Sequence, residues 1–233
     1  MHILDRELID PFPKFWDRVS LELDIELQDI ELASDKVFVD LSNDARKEQP
    51  EWLRLPDEDL AYHVAHEVGH VLLRCRGYPR IMRGKDYPPS SAEAMVGGDL
   101  EEMVTHVPIR SILGSFGFSN EVIMERMYDG AFSGLSLSPV PDYGSPWFFT
   151  WAIRYVELSN EMRHSKWIEL KKIYHHRSRD VEDLGKELKN ILDSFDIHSP
   201  WNALQAMLAC RDHMGLGVDQ RVMILDPRSG EIQ

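Results

Sequence analysis

Apolar residues recur at helical spacing most clearly between Pro56 and Gly77, where Leu60, Val64, Val68, Val71, Leu72 and Cys75 fall on one stripe. The stripe predicts a helix with a buried face. Pro56 and the acidic run Asp57, Glu58 and Asp59 suit its start, and Gly77 followed by Pro79 suits its end. Upstream, residues 12 to 20 predict a short helix, and "DIELASDKVFVDL" alternates apolar and polar positions around Ser34 and Asp35, as a hairpin does. Downstream, "AEAMVGGDLEEMVTHVPIRSIL" predicts a helix interrupted at Gly97 and Gly98, with a second part bounded near Pro108. "SNEVIMERMY" predicts a further short helix capped by Ser119. The stretch "DGAFSGLSLSPVPDYGSP" that follows reads as an ordered surface loop or a mobile flap.

From Ser145 onward the pattern is mainly helical. Ser145 with Pro146, Ser178, and Ser199 with Pro200 each place a capping residue before periodic apolar positions. "RVMILDPRSGEI" predicts a strand with a turn. The sum is an α+β chain: a small N-terminal sheet packed on the helix of residues 57 to 75, and a mainly helical C-terminal half. Residues 1 to 140 and 141 to 233 are expected to pack together as one unit.

Composition narrows the function. With 233 residues and 43% hydrophobic content the chain can bury a sizeable core. Its 40 acidic against 26 basic side chains leave a formal charge of -14, which repels nucleic-acid backbones and anionic lipid surfaces. A nucleic-acid or membrane partner is not expected. Cys75 and Cys210 are the only 2 cysteines, so neither a disulfide framework nor a cysteine metal cluster is available, and a reducing compartment fits. The N-terminus lacks the basic start and apolar run of a signal peptide, and no stretch approaches the length of a membrane span. The expected location is cytoplasmic.

Candidate chemistry sits inside the helix of residues 57 to 75. His66, Glu67 and His70 form the pattern HExxH. At 100° per residue the two histidines differ by about 40° around a helix and about 6 Å along it, so both imidazoles can reach one ion. Glu67 flanks the same face, where a carboxylate can act as a base. Gly69 lies between the ligands although glycine costs about 1 kcal/mol in a helix interior, which suggests that a strand or another backbone passes close by. His63, one turn earlier, is a pocket-wall or supporting residue.

"HEVGH" followed by an apolar run resembles the zinc-binding helix of the zincin metallopeptidases over residues 57 to 75. The metzincin extension would need glycine at 73 and histidine at 76, where Leu73 and Arg76 stand. "EEMVTH", residues 101 to 106, instead resembles the second-helix pattern of gluzincins, with Glu102 in the place of the third ligand and His106 where that family has an aspartate. The resemblance implies one Zn2+ per chain on His66, His70 and Glu102, with Glu101 and Asp99 as competitors for the third position. It implies hydrolysis of a peptide or protein substrate by a metal-activated water, with Glu67 as general base. An oxyanion donor would come from Tyr78, Tyr87, Tyr128, Tyr143, His164, Tyr174, His175 or His176, among which the sequence does not choose. The tryptophans, including Trp147, Trp151 and Trp167, are expected in the core. The alternative is a zincin-fold regulatory or interaction protein that does not hydrolyse. Oligomeric state is not legible.

Overall fold

The computed structural model describes residues 2–3, 6–23, 56–84, 86–88, 90–160 and 165–233. The hairpin expected around Ser34 and Asp35 lies outside them. The described chain is mixed and mostly helical, with eight α-helices and small antiparallel sheets. It divides into two compact units, Met1–Cys75 with Ile109–Val122, and Arg76–Pro108 with Ile123–Gln233.

The first unit opens with two short antiparallel strands, β1 (His2–Ile3) and β2 (Arg6–Glu7), and helix α1 (Phe12–Val19). Helix α1 buries Phe12, Phe15, Trp16 and Val19, and packs on α2 (Asp57–Cys75), the helix that carries HExxH. Arg6 on β2 pairs with Asp57 at the start of α2, fixing that end. Phe15 meets Phe116 and Phe118 edge-on at 5.3 and 5.7 Å, and Tyr62 meets Phe118 at 6.3 Å. Such contacts add to the burial of the rings themselves. The periodic stripe of α2 is buried at Leu60, Val64, Val68 and Leu72, with Leu73 beside it. Cys75, expected on that stripe, is exposed, because it is the last helical residue, beyond the covered turns.

Helix α3 (Ala92–Ser115) corrects the expected interruption at Gly97, Gly98 and Pro108, for it runs through all three. Pro108 removes one ladder bond, a defect of about 3 kcal/mol, but it is buried and flanked by buried Met103, Val104, Ile109 and Leu113. Packing overrides propensity there. At Gly97 the missing side chain is an asset, since a Cβ would stand 2.9 Å from Ile81 Cγ2.

Ile81 belongs to β3 (Arg80–Arg83), an edge strand of the second unit's sheet, ordered β3-β4-β5 with β4 at Val222–Asp226 and β5 at Glu231–Ile232. The expected final strand and turn is therefore a hairpin, β4 to β5. Strand β3, which the patterning did not predict, pairs Arg80 with Leu225 through Arg83 with Val222.

Helix α4 (Glu121–Leu137) begins where Ser119 Oγ accepts the Glu121 amide at 3.3 Å, and continues through the first nine residues of the expected loop. Buried Met124, Tyr128 and Leu135 hold it, so only residues 138 to 145 connect to the next element. Helix α5 (Pro146–Ser159) starts as expected, with Ser145 Oγ accepting the Phe148 amide at 3.3 Å and Pro146 in the first turn. Helices α6 (Trp167–Arg177), α7 (Arg179–Asp193) and α8 (Pro200–His213) follow, with Ser178 and Ser199 at the expected N-cap positions of α7 and α8 but neither side chain making the expected capping hydrogen bond. Helices α5 and α7 pack closely, for a Cβ on Gly185 would lie 2.6 Å from the Tyr155 ring. Among the described residues no helix is long and apolar enough to cross a membrane.

Candidate metal centre

In the first unit, α2 brings His66 and His70 together: their Nε2 atoms stand 3.2 Å apart and their rings cross at 82°. Imidazole nitrogens about 2.0 to 2.1 Å from one tetrahedral zinc stand about 3.4 Å apart, so the pair fits a shared ion with little movement. Both rings are half-buried. The His66 ring is braced by Tyr62, stacked at 6.2 Å with an interplanar angle of 19°. Glu67, between them in the sequence, is exposed. His63 is half-buried and meets Tyr62 edge-on at 6.2 Å.

Gly69 is explained differently from expectation. A Cβ there would meet the Ile109 side chain, with Cγ2 at 3.0 Å, and not a strand or a backbone. The allowance lets α3 lie close to α2 at the turn that carries His70.

In the second unit, α3 carries the three acidic candidates, and their surroundings differ. Glu101 Oε2 accepts the backbone amide of Ile81 at 2.7 Å, covering a donor on the edge strand β3. That carboxylate holds the sheet. Glu102 keeps part of its surface open to solvent, yet burial raises its carboxyl above the ordinary range; His106 and Arg154 oppose the shift while Glu157 and Asp99 add to it. Asp99 is raised likewise by burial, with the Thr150 hydroxyl and Arg154 opposing. Asp99 Oδ2 and Thr150 Oγ1 are both buried outside good hydrogen-bond geometry.

The residue that sequence reasoning missed is Glu157 on α5. Its side chain is 4% exposed, and its Oε1 accepts a hydrogen bond from His106 Nδ1 at 2.9 Å. Glu102, His106 and Glu157 each bring a ligand-type atom to within 4.8 Å of the others. The absence of an aspartate at position 106 therefore does not remove a carboxylate from the group; Glu157 supplies one from another helix. A signal was present: Glu157 is the one acid in the run "WAIRYVELS", whose other charged residue is Arg154.

Comparison with family models, curated proteins and solved structures returns no match. Function here rests on the residues themselves.

Several oxyanion candidates are engaged elsewhere. The hydroxyls of Tyr78, Tyr128 and Tyr174 donate to the carbonyls of Ile197, Leu158 and Trp151 at 3.3, 2.9 and 3.4 Å. Burial pushes the Tyr174 hydroxyl far above its ordinary pKa, so it titrates poorly as an acid. His175 Nδ1 is 2.8 Å from Glu182, Tyr143 is exposed against Phe148, Tyr87 is half-buried and His176 is exposed. His164 lies outside the described residues. Trp167 is in the core as expected, whereas Trp147 is 55% exposed at the start of α5.

Proposed function

We propose that the chain is a zinc-dependent metallopeptidase with a zincin-like fold, acting on a peptide or protein substrate in the cytoplasm. The observation that carries the reading is the His66 and His70 pair, 3.2 Å apart on the helix that also presents Glu67. His66 and His70 would hold the ion, and α3 would supply a third ligand, for which Glu102 is the expectation from sequence. When bound, zinc supplies a Lewis acid that acidifies water and polarises a carbonyl. Glu67 takes the proton from the attacking water and returns it to the leaving amine. The Tyr62 ring limits rotation of His66, and Gly69 admits Ile109 so that α3 can approach the ligand helix. With a formal charge of -14 the chain is proposed to act without a nucleic-acid partner.

The test combines metal content with hydrolysis of an unstructured protein such as casein. Wild type should bind about one zinc per chain; His66→Ala and His70→Ala should lose it. Glu67→Gln should keep the metal and lose cleavage by at least about a hundredfold. Cleavage retained in Glu67→Gln removes the mechanism, and zinc retained in both histidine variants removes the site. A non-hydrolysing zincin-fold regulator is the second reading, favoured by the engagement of Tyr78, Tyr128 and Tyr174 with core carbonyls. Metal without any cleavage in wild type would select it.

A further inference from the structure

We infer that the second unit holds a divalent-cation site of its own, with Glu102 and His106 of α3 and Glu157 of α5 as its ligands. The site lies wholly within that unit and does not depend on the His66 and His70 pair; it takes Glu102 from the third zinc position that the sequence pattern gives it. Glu102 and His106 are four residues apart, so they differ by about 40° around α3 and share a face. Glu157 comes from α5, where Ala152, Ile153, Val156 and Leu158 are buried, and its side chain is 4% exposed. A carboxylate in that setting is costly unless a cation or strong donors meet it. Arg154, at 3.7 Å and 39% exposed, is a loose partner.

The three side chains are spaced as ligands of one ion. His106 Nδ1 and Glu157 Oε1 are 2.9 Å apart, and the ligand atoms of all three residues lie within 4.8 Å of one another. Around a six-coordinate ion with bonds of about 2.1 Å, neighbouring ligand atoms stand about 3.0 Å apart and opposite ones about 4.2 Å. Nδ1 carries a proton while it faces the carboxylate, and a cation entering there sends that proton to solvent. Asp99, one turn before Glu102, adds a third carboxylate, with Oδ2 buried outside good hydrogen-bond geometry. Burial raises both Glu102 and Asp99, and their acidic neighbours add to it, Glu157 and Asp99 at Glu102 and Glu157 at Asp99. A cation offsets both the burial and the repulsion. Two carboxylates and one imidazole, with a further carboxylate beside them, suit a metal of intermediate hardness such as Mn2+. Glu102, on the exposed side, gives the ion a way in.

The experiment titrates the full chain with Mn2+ and reads the free ion by electron paramagnetic resonance, with circular dichroism to check folding. Wild type and a His66→Ala/His70→Ala double variant should bind Mn2+ alike. Glu102→Gln and Glu157→Gln should each lower Mn2+ affinity at least about tenfold. Glu157→Gln keeps the side-chain size, and its Oε1 still accepts the His106 proton, so a purely structural hydrogen bond would survive that change while a charged ligand is lost. Wild-type Mn2+ affinity in both glutamine variants overturns the inference, as does a wild type that binds no Mn2+ at millimolar concentration. Mn2+ lost in the double histidine variant and kept in the glutamine variants overturns it too, and leaves the His66 and His70 site standing. Zinc binding unchanged in the double histidine variant, with Mn2+ affinity lowered in Glu157→Gln, removes the peptidase reading and leaves this site standing.

Discussion

At the residue scale, the two cysteines separate by environment. Cys210 on α8 is buried with its Sγ 4.0 Å from the Leu188 carbonyl, and burial pushes its thiol up to about 12. Cys75 is exposed at the end of α2. A thiol reagent at pH 8 should therefore modify Cys75 promptly and Cys210 only at the rate of unfolding, because the thiolate is the reactive form. Two thiols consumed together in the native protein would contradict the burial of α8. The same dependence on environment decides how much of the candidate centre the sequence could show. His66, Glu67 and His70 were legible because one helical turn brings them together whatever the rest of the fold does. Glu157 was not legible as a partner, since 51 residues separate it from His106 and no periodicity links the two helices.

Elements marked by local chemistry were predicted well. Ser145 with Pro146, and Ser199 with Pro200, set helix starts through backbone geometry that is independent of neighbours. Breaks expected at Gly97, Gly98 and Pro108 failed because packing of α3 outweighs local propensity, and β3 was missed because its partner β4 lies some 140 residues away. Gly185 on α7 provides a quantitative check on that balance. Replacing it with alanine should gain about 1 kcal/mol of helix propensity, but the new Cβ at 2.6 Å from Tyr155 Cδ1 overpacks the α5 and α7 contact by about 1 to 3 kcal/mol. Steric conflict wins, since the Tyr155 ring is buried and also packed edge-on against Trp167 and Tyr174. Urea denaturation should show Gly185→Ala less stable than wild type by up to roughly 2 kcal/mol. The same substitution in a Tyr155→Leu background should destabilise less; an equal loss in both backgrounds would show that the ring is not the obstacle.

At the scale of the whole molecule, an acidic chain contains buried carboxylates whose stabilising effect disappears on acidification. Asp226 is held below the ordinary carboxylate range first by the Arg228 guanidinium, with Nε to Oδ1 at 2.9 Å and the second nitrogen to Oδ2 at 3.0 Å, and then by the Arg228 amide. Glu182 would be raised by burial, but the Lys186 ammonium at 2.9 Å and the His175 ring at 2.8 Å prevail and lower it. Each folded pKa thus lies below its unfolded value of about 4. The native state binds fewer protons at these sites than the unfolded chain, so stability rises with pH in that interval. Their contribution is complete above about pH 5 and disappears as pH falls through the depressed values. Urea midpoints should be nearly flat from neutrality to about pH 5 as far as these two groups are concerned, then fall. Asp226→Asn should be less stable at pH 7, because Arg228 keeps a weaker neutral acceptor, and should lose less than wild type between pH 5 and 3. An Asp226→Asn protein with the wild-type acid slope would mean that the β4 carboxylate is not anchored by Arg228. Since the pair joins β4 to the turn before β5, the outcome also reports whether that hairpin unfolds with α8, the helix packed on β4.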